Sequence, residues 1–181
     1  MKKTLLSLFI ACGLLSCNKD NTPLTADYNV IPLPQEVKME QGEGFELNGN
    51  TVIAYNDNDA MKRNAELLAE YIKAGTGLNL EIVTASNSKT NTINLVIDNT
   101  PGNKEAYSMS VTKENIEISS SSPAGVFYGI QTLRKSLPIA TTDKVDMPAV
   151  TITDYPRFAY RGAHLDVSRH FFTKDSIKRF I

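Results

Sequence analysis

The segment YRGAHLDVSRHFF, residues 160–172, brings two arginines, two histidines and one aspartate into an otherwise apolar stretch. Charged side chains are rarely buried unless they are paired or take part in a site. The planar guanidinium group of arginine can donate hydrogen bonds to two neighbouring oxygen atoms at once. These residue types therefore predict that part of a site lies here. The alternative is a set of structural ion pairs, such as Arg161 with Asp166.

The remainder of the chain offers little chemistry of its own. Both histidines follow residue 160, and both cysteines, Cys12 and Cys17, precede residue 20. Residues 28–150 therefore lack the ligands of most metal sites and the usual pairs of nucleophile and base. The chain has 19 Lys and Arg against 20 Asp and Glu, so its net charge is close to zero, and it contains no cluster of basic residues. Nucleic acid is therefore not an expected partner. No metal and no cofactor is predicted.

The first residues, MKKTLLSLFIACGLLSC, have the pattern of a bacterial export signal. The uncharged run at residues 5–15 is too short for a stable transmembrane helix. LLSC, which ends at Cys17, resembles the lipobox of bacterial lipoproteins. It predicts a signal peptide at residues 1–16, lipid on Cys17, a tether at residues 17–28, and a cell-envelope location on the periplasmic or surface face of the outer membrane. The alternative is an ordinary cleaved signal with an incidental cysteine.

Between residues 29 and 150 the hydrophobic pattern predicts a compact α+β domain, with two helices on one face of a sheet. Apolar residues alternate, as in strands, at residues 51–55, 79–83, 92–97, 106–111 and 115–119. A first helix is predicted at residues 60–77, with a polar cap from residues 56–58 and a stop at Gly75. One apolar face per strand favours an antiparallel or mixed sheet that is covered on one side.

A second helix is predicted after the serine run at residues 119–122, with Ser122 as its cap and Pro123 at its first position. Gly125 and Gly129 lie one turn apart in this helix, where each is expected to cost about 1 kcal/mol relative to alanine. Such a cost predicts a close approach of the helix to the sheet. The alternative is two indifferent surface glycines. The buried stripe of the helix is predicted to comprise Val126, Ile130, Leu133 and Leu137.

Three stretches carry a resemblance to a known family: IPLPQEV at residues 31–37, SSSPAGVFYGIQTLRKSL at 120–137, and YPRFAYRGAHLDVSRHFFTKDSIKRFI at 155–181. Together they resemble the junction in glycoside hydrolase family 20, the β-N-acetylhexosaminidases, where a small α+β domain precedes a (β/α)8 barrel. The resemblance implies an accessory domain at residues 29–150 and the start of a truncated catalytic barrel at residues 151–181. We expect the first barrel strand at residues 158–166, then a loop, and a first helix capped by Thr173.

The same resemblance implies hydrolysis of terminal N-acetylglucosamine or N-acetylgalactosamine from glycans with retention of configuration. In that family the acetamido oxygen of the substrate is the nucleophile, and an adjacent Asp-Glu pair orients it and protonates the leaving oxygen. This chain has no Asp followed directly by Glu, so no catalytic residue is predicted in it and the chain alone is expected to be inactive. Arg161 matches the family's arginine that holds hydroxyls of the terminal sugar, and is the predicted substrate-binding residue.

Other interpretations of the same residues stay open. Asp166, Arg169 and His170 are interpreted as framework residues, although barrel enzymes usually carry catalytic groups at the C-terminal ends of strands. The whole chain could instead be a non-catalytic surface lipoprotein that binds glycan or a protein partner. It could also belong to another glycosidase family with a similar accessory domain, such as the O-GlcNAcases or the α-glucuronidases. The predicted partners are a glycan with a terminal N-acetylhexosamine and a membrane, through the lipid anchor.

Overall fold

The computed structural model describes residues 24–56, 58–85, 90–98 and 102–180. The predicted signal peptide, Cys17 and the predicted tether up to residue 23 lie outside the described residues. Seven strands form a main sheet and three form a second sheet. In chain order the elements are β1 (Leu24–Thr25), β2 (Glu36–Met39), β3 (Phe45–Asn48), β4 (Val52–Tyr55), α1 (Asp59–Thr76), β5 (Glu81–Thr84), β6 (Thr92–Ile97), β7 (Tyr107–Val111), β8 (Asn115–Ser120), α2 (Pro123–Ser136), β9 (Lys144–Met147), β10 (Val150–Asp154) and α3 (Lys174–Phe180).

The main sheet is mixed, with the strand order β2-β10-β7-β8-β6-β4-β5. Strands β5, β4, β6 and β8 run parallel, whereas β7, β10 and β2 join through antiparallel pairs. Parallel neighbours need a crossover connection, and α1 supplies it between β4 and β5. The predicted α+β class and mixed sheet are therefore confirmed.

One face of the main sheet is apolar and carries α1 and α2. In the strand register, Ile118 of β8 lies opposite Leu95 of β6 and Met109 of β7, and Met109 lies opposite Ile152 of β10. All four side chains are buried. The helix α1 packs on β4 and β5, α2 packs on β7 and β8, and the two helices contact each other. The opposite face is more polar: Ser108, Ser110 and Thr151 on it are half-buried and Glu117 is exposed, in agreement with the prediction that one side of the sheet is covered.

The ends of α1 follow from two residues of the sequence. The Asn58 side chain caps the helix by accepting a hydrogen bond from the Met61 N–H at 2.9 Å. The stop predicted at Gly75 is wrong, because Gly75 lies inside the helix and Gly77 adopts the left-handed conformation at φ 81°. Glycine adopts that conformation without the steric cost of a Cβ. The Gly77 N–H closes the helix by donating to the Lys73 carbonyl.

The helix α2 lies unusually close to the sheet. Ser122 caps it by accepting hydrogen bonds from the Ala124 and Gly125 N–H groups. A Cβ on Gly125 would lie 2.3 Å from the Ala106 carbonyl oxygen, and a Cβ on Gly129 would lie 2.4 Å from Ile118 Cγ2. The predicted close approach is therefore confirmed, and the alternative of two surface glycines is wrong.

The second sheet was not expected from the sequence. Its strand order is β1-β9-β3, with β9 parallel to β1 and antiparallel to β3. The side chains that it buries, Phe45, Leu47, Val145 and Met147, join the same hydrophobic core as those of the main sheet. These strands are at most four residues long, so each offers at most two alternating apolar positions. So short a pattern is not recognisable without its partner strand.

Two observations concern the predicted domain junction. Strand β10 continues the main sheet to Asp154, beyond the boundary placed at residue 150, and pairs with both β2 and β7. The barrel strand expected at residues 158–166 is not formed in this structure, where residues 155–173 contain no strand. A parallel barrel strand is held by hydrogen bonds to neighbours on both sides. No described strand pairs with this segment.

The last described element is α3. Thr173 caps it, as expected, because its Oγ1 accepts a hydrogen bond from the Ser176 N–H at 3.2 Å. None of its residues is buried. Across the described parts of the chain, no helix combines the length and apolar character that crossing a bilayer requires.

Candidate functional site

A groove of about 390 Å³ lies between α2, the loop before β2 and the chain that follows β10. We call it the α2 groove. Its lining includes the predicted sugar-binding residue, Arg161, and its walls also include Leu33, Tyr128, Gln131, Tyr155 and Phe158. The structure therefore brings the start of the 160–172 segment against the α+β domain.

Arg161 is held at the rim of the α2 groove by two hydrogen bonds. Its Nη2 donates to Glu105 Oε1 at 2.6 Å, and its Nη1 donates to the Phe158 carbonyl oxygen at 2.7 Å. The Tyr128 hydroxyl of α2 donates to the same Glu105 oxygen at 3.0 Å. The Glu105 carboxylate thus joins α2 to the segment that follows the main sheet.

The pKa shifts of Glu105 and Arg161 agree with these hydrogen bonds. The hydrogen bonds from Arg161 and Tyr128 hold the pKa of Glu105 below its ordinary value of 4.5. The bond to Glu105 in turn raises the pKa of Arg161, which keeps the guanidinium charged. The two side chains of the pair are 43% and 34% exposed, so solvent screens their attraction. The pair therefore orients Arg161 more than it stabilises the fold, and water or a sugar hydroxyl can reach the guanidinium.

A neutral phenol forms the floor of the α2 groove. The Tyr107 hydroxyl lies 2.6 Å from Thr132 Oγ1 of α2. Burial raises the pKa of Tyr107 well above its ordinary value, and the nearby Asp154 carboxylate acts in the same direction. The phenol therefore stays protonated at physiological pH and contributes a fixed hydroxyl rather than a charge.

The remaining charged residues of the 160–172 segment do not line the groove. Arg169 Nε donates to Asp166 Oδ2 at 2.6 Å, and Asp166 Oδ1 also accepts a backbone N–H two residues further on. Asp166 and Arg169 thus pair with each other here, as their interpretation as framework residues expects. In this structure the partner of Arg161 is Glu105 and not Asp166. His170 is exposed.

Sequence reasoning missed Glu105 and Tyr128. Glu105 lies 56 residues before Arg161 in the chain, and no local pattern links the two positions. Tyr128 offered a weak signal, because it is an aromatic residue outside the predicted buried stripe of α2. In the ranges that the structure describes, no group of His, Cys, Asp and Glu is arranged to hold a metal ion.

Comparison with known proteins assigns the family. The model for glycosyl hydrolase family 20, domain 2, matches residues 27–155. A beta-hexosaminidase of Porphyromonas gingivalis is 33% identical over 100% of this chain and 25% of that protein. A beta-N-acetylhexosaminidase of Cellulomonas fimi is 28% identical over 86% of this chain and 32% of that protein. The chain therefore belongs to glycosyl hydrolase family 20 and carries its domain 2.

Solved structures of the family share this fold. The GH20 beta-N-acetylhexosaminidase from Streptomyces coelicolor A3(2) matches 83% of this chain and 31% of that chain, with a TM-score of 0.71 and 34% identity. A mutant Streptomyces plicatus beta-hexosaminidase in complex with product (GlcNAc) matches the same shares, 83% and 31%, with a TM-score of 0.70 and 32% identity. This chain spans about a quarter to a third of the length of these relatives.

Proposed function

We propose that this chain is part of an exo-acting β-N-acetylhexosaminidase that removes terminal N-acetylglucosamine or N-acetylgalactosamine from glycans. One observation carries the proposal. The entire chain aligns with the beta-hexosaminidase of Porphyromonas gingivalis at 33% identity, within 25% of the length of that protein. The product-bound Streptomyces plicatus relative supports the same class of sugar.

The proposed chemistry is retaining and assisted by the substrate. The acetamido oxygen of the terminal sugar attacks the anomeric carbon while a glutamic acid donates its proton to the leaving glycosidic oxygen. The neighbouring aspartate orients the acetamido group. Since this chain has no adjacent Asp-Glu pair, the pair would lie outside these 181 residues, and the chain alone would be inactive.

The proposed contribution of this chain to the sugar pocket is Arg161. Residues from 156 onward would open the (β/α)8 barrel and become a strand once neighbouring strands are present, because strand formation depends on those partners. The guanidinium would then donate to two adjacent hydroxyls of the terminal sugar. The exposure of Arg161 and its weak pairing with Glu105 are compatible with that exchange of partners.

The test of the proposed function is hydrolysis of p-nitrophenyl N-acetyl-β-glucosaminide and of the matching galactosaminide. We expect the complete gene product to release nitrophenol from at least one of them, and the 181-residue chain to release none above the uncatalysed rate. Nitrophenol release by the short chain would refute its inactivity. A complete gene product that bound glycan without cleaving either substrate would favour the non-catalytic surface lipoprotein.

We also propose that the protein is anchored in the bacterial cell envelope through lipid on Cys17. The proposal is supported by the LLSC pattern after a charge-free run. Labelled palmitate should enter the wild-type protein and a Cys12→Ala variant, because Cys12 leaves with the signal peptide. Cys17→Ala should take up no label and should leave the membrane fraction. Membrane retention of the Cys17→Ala variant would contradict lipid anchoring.

A further inference from the structure

The folded part of the chain begins close to the cysteine that is proposed to carry lipid. β1 starts at Leu24, where it pairs with Val145 of β9. The next residues of the predicted tether already belong to the domain, since Ala26 and Tyr28 are buried. Because an extended chain spans at most about 3.6 Å per residue, Leu24 lies within about 25 Å of lipid carried by Cys17.

The start of β1 lies at one edge of the domain, which we call the anchor edge. β9 pairs with β1 at Leu24 on one side, and on its other side Lys144 pairs with Asn48 at the end of β3. The Thr142 N–H donates to the Thr76 carbonyl oxygen at 3.0 Å. The C-terminal end of α1 therefore lies at the anchor edge as well.

The chain leaves the main sheet at the opposite edge, which we call the exit edge. β10 ends at Asp154, opposite Tyr107 at the start of β7, and β6 and β8 end at the same edge. The Ile97 N–H at the end of β6 donates to Asn56 Oδ1 at 2.6 Å, so α1 begins at this edge. The 18 residues of α1 thus run from the exit edge to the anchor edge, a length of about 27 Å.

The proposed sugar-binding residue lies at the exit edge. Arg161 donates to Glu105, which precedes the start of β7 by two residues. The body of the α+β domain therefore lies between the start of β1 and the residue that is expected to reach the sugar.

Charge does not explain how such a domain would be oriented on a membrane. Lys144 at the anchor edge pairs with Glu46 at 2.8 Å, so the two charges offset each other. A surface that binds anionic headgroups carries a cluster of basic residues, and this sequence contains none. The short distance along the chain between Cys17 and Leu24 is the remaining restraint on orientation.

We propose that the α+β domain is a spacer whose anchor edge faces the lipid surface and whose exit edge faces away from it. The inference rests on the proposed lipid anchor at Cys17. The residues after Asp154, Arg161 among them, are then held off the membrane by roughly the length of α1. Hydrolysis takes place on the side of the domain that is remote from the headgroups.

Energy transfer to labelled lipid tests this proposal in the complete gene product, purified with its lipid. The protein is placed in vesicles of phosphatidylethanolamine and phosphatidylglycerol that carry an acceptor dye on the headgroup. A donor dye is attached through Lys73→Cys near the anchor edge or through Asp59→Cys at the exit edge. The two residues form a matched pair, because both are exposed on α1. Acylated Cys17 has no free thiol, and any cysteine beyond residue 181 is replaced by serine.

We expect at least about twofold more energy transfer from residue 73 than from residue 59, because roughly 21 Å separate the two positions along α1. Equal transfer from both positions in membrane-bound protein would overturn the spacer and leave lipid anchoring intact. Protein that stays in solution, with transfer from neither position, would overturn lipid anchoring and the spacer with it.

A longer tether tests whether the short connection orients the domain. Insertion of roughly twelve glycine and serine residues after Asn21 adds up to about 40 Å of reach, which exceeds the length of α1. We expect the difference in energy transfer between residues 73 and 59 to decrease strongly in this variant. An unchanged difference would overturn the inference that the tether sets the orientation.

Discussion

Replacing Gly129 by leucine is expected to destabilise the α+β domain strongly. A Cβ at this position would lie 2.4 Å from Ile118 Cγ2 and 3.0 Å from Tyr107 Cδ2, and both of those side chains are buried in the core. Leucine gains about 1 kcal/mol over glycine in helix propensity. Overpacking a well-filled core costs about 1 to 3 kcal/mol and sometimes more, and here even the first added atom has no space. We expect the steric cost to exceed the gain.

The measurement is the free energy of unfolding of a chain that lacks residues 1–16, from denaturant titrations followed by circular dichroism. Ala124→Leu is the matched control, because Ala124 is exposed on the same helix. Its effect should stay within about 0.5 kcal/mol, as for most surface substitutions. Equal stability of the two variants would show that α2 can move away from Ile118, contrary to the close packing described.

The predictable part of the fold is the part with long, regular local signals. α1 and α2 have buried residues at helical spacing and capping side chains at Asn58 and Ser122, so both were located from the sequence. The stop of α1 was misplaced because Gly75 and Gly77 present the same local signal. Which of them adopts a positive φ is decided by tertiary packing, which the sequence pattern does not contain.

The second sheet could not be predicted from local sequence patterns. Strand β9 pairs Val145 with Leu24 on one side and with Leu47 on the other, so its neighbours come from the distant N-terminal part of the chain. Each strand contributes too few alternating residues to be recognised alone. Its existence depends on pairing between segments that are far apart in sequence.

The candidate site also has one part that the sequence predicts and one part that it does not. Arg161 is predicted as a site residue because its segment is chemically unusual and resembles a family motif, whereas Glu105 belongs to a polar turn without any pattern. The Glu105–Arg161 pair depends on the fold. β7, β8 and α2 place Glu105 beside Tyr128 at the rim of the α2 groove, where Arg161 donates to it. An ion-pair partner that comes close only in the folded chain cannot be predicted from the composition of the sequence or from the spacing of its residues.

Arg161→Ala is expected to lower kcat/KM of the complete enzyme by roughly 10- to 150-fold, because hydrogen bonds from a charged group contribute about 1.5 to 3 kcal/mol. Arg161→Lys should recover only part of the loss, since lysine keeps the charge but not the planar fork. Arg63→Ala is the control, because Arg63 is exposed on α1 and does not line the groove. Its kcat/KM should equal that of the wild type.

Glu105→Ala distinguishes sugar binding from a purely structural role of Arg161, because alanine removes the carboxylate oxygen that accepts from Arg161 and Tyr128. If Arg161 acted only as the partner of Glu105, this variant would reproduce the full loss of Arg161→Ala; we expect most activity to remain. In the short chain, an NMR titration of Arg161→Ala should show the pKa of Glu105 rising towards 4.5, because its largest cause of lowering is removed. In the wild type the Glu105–Arg161 pair contributes to the free energy of unfolding at pH values above 4.5, the ordinary pKa of the carboxyl group. This contribution is lost as the pH falls through the lowered pKa of Glu105. An unchanged pKa of Glu105 would show that the two groups are not paired in solution.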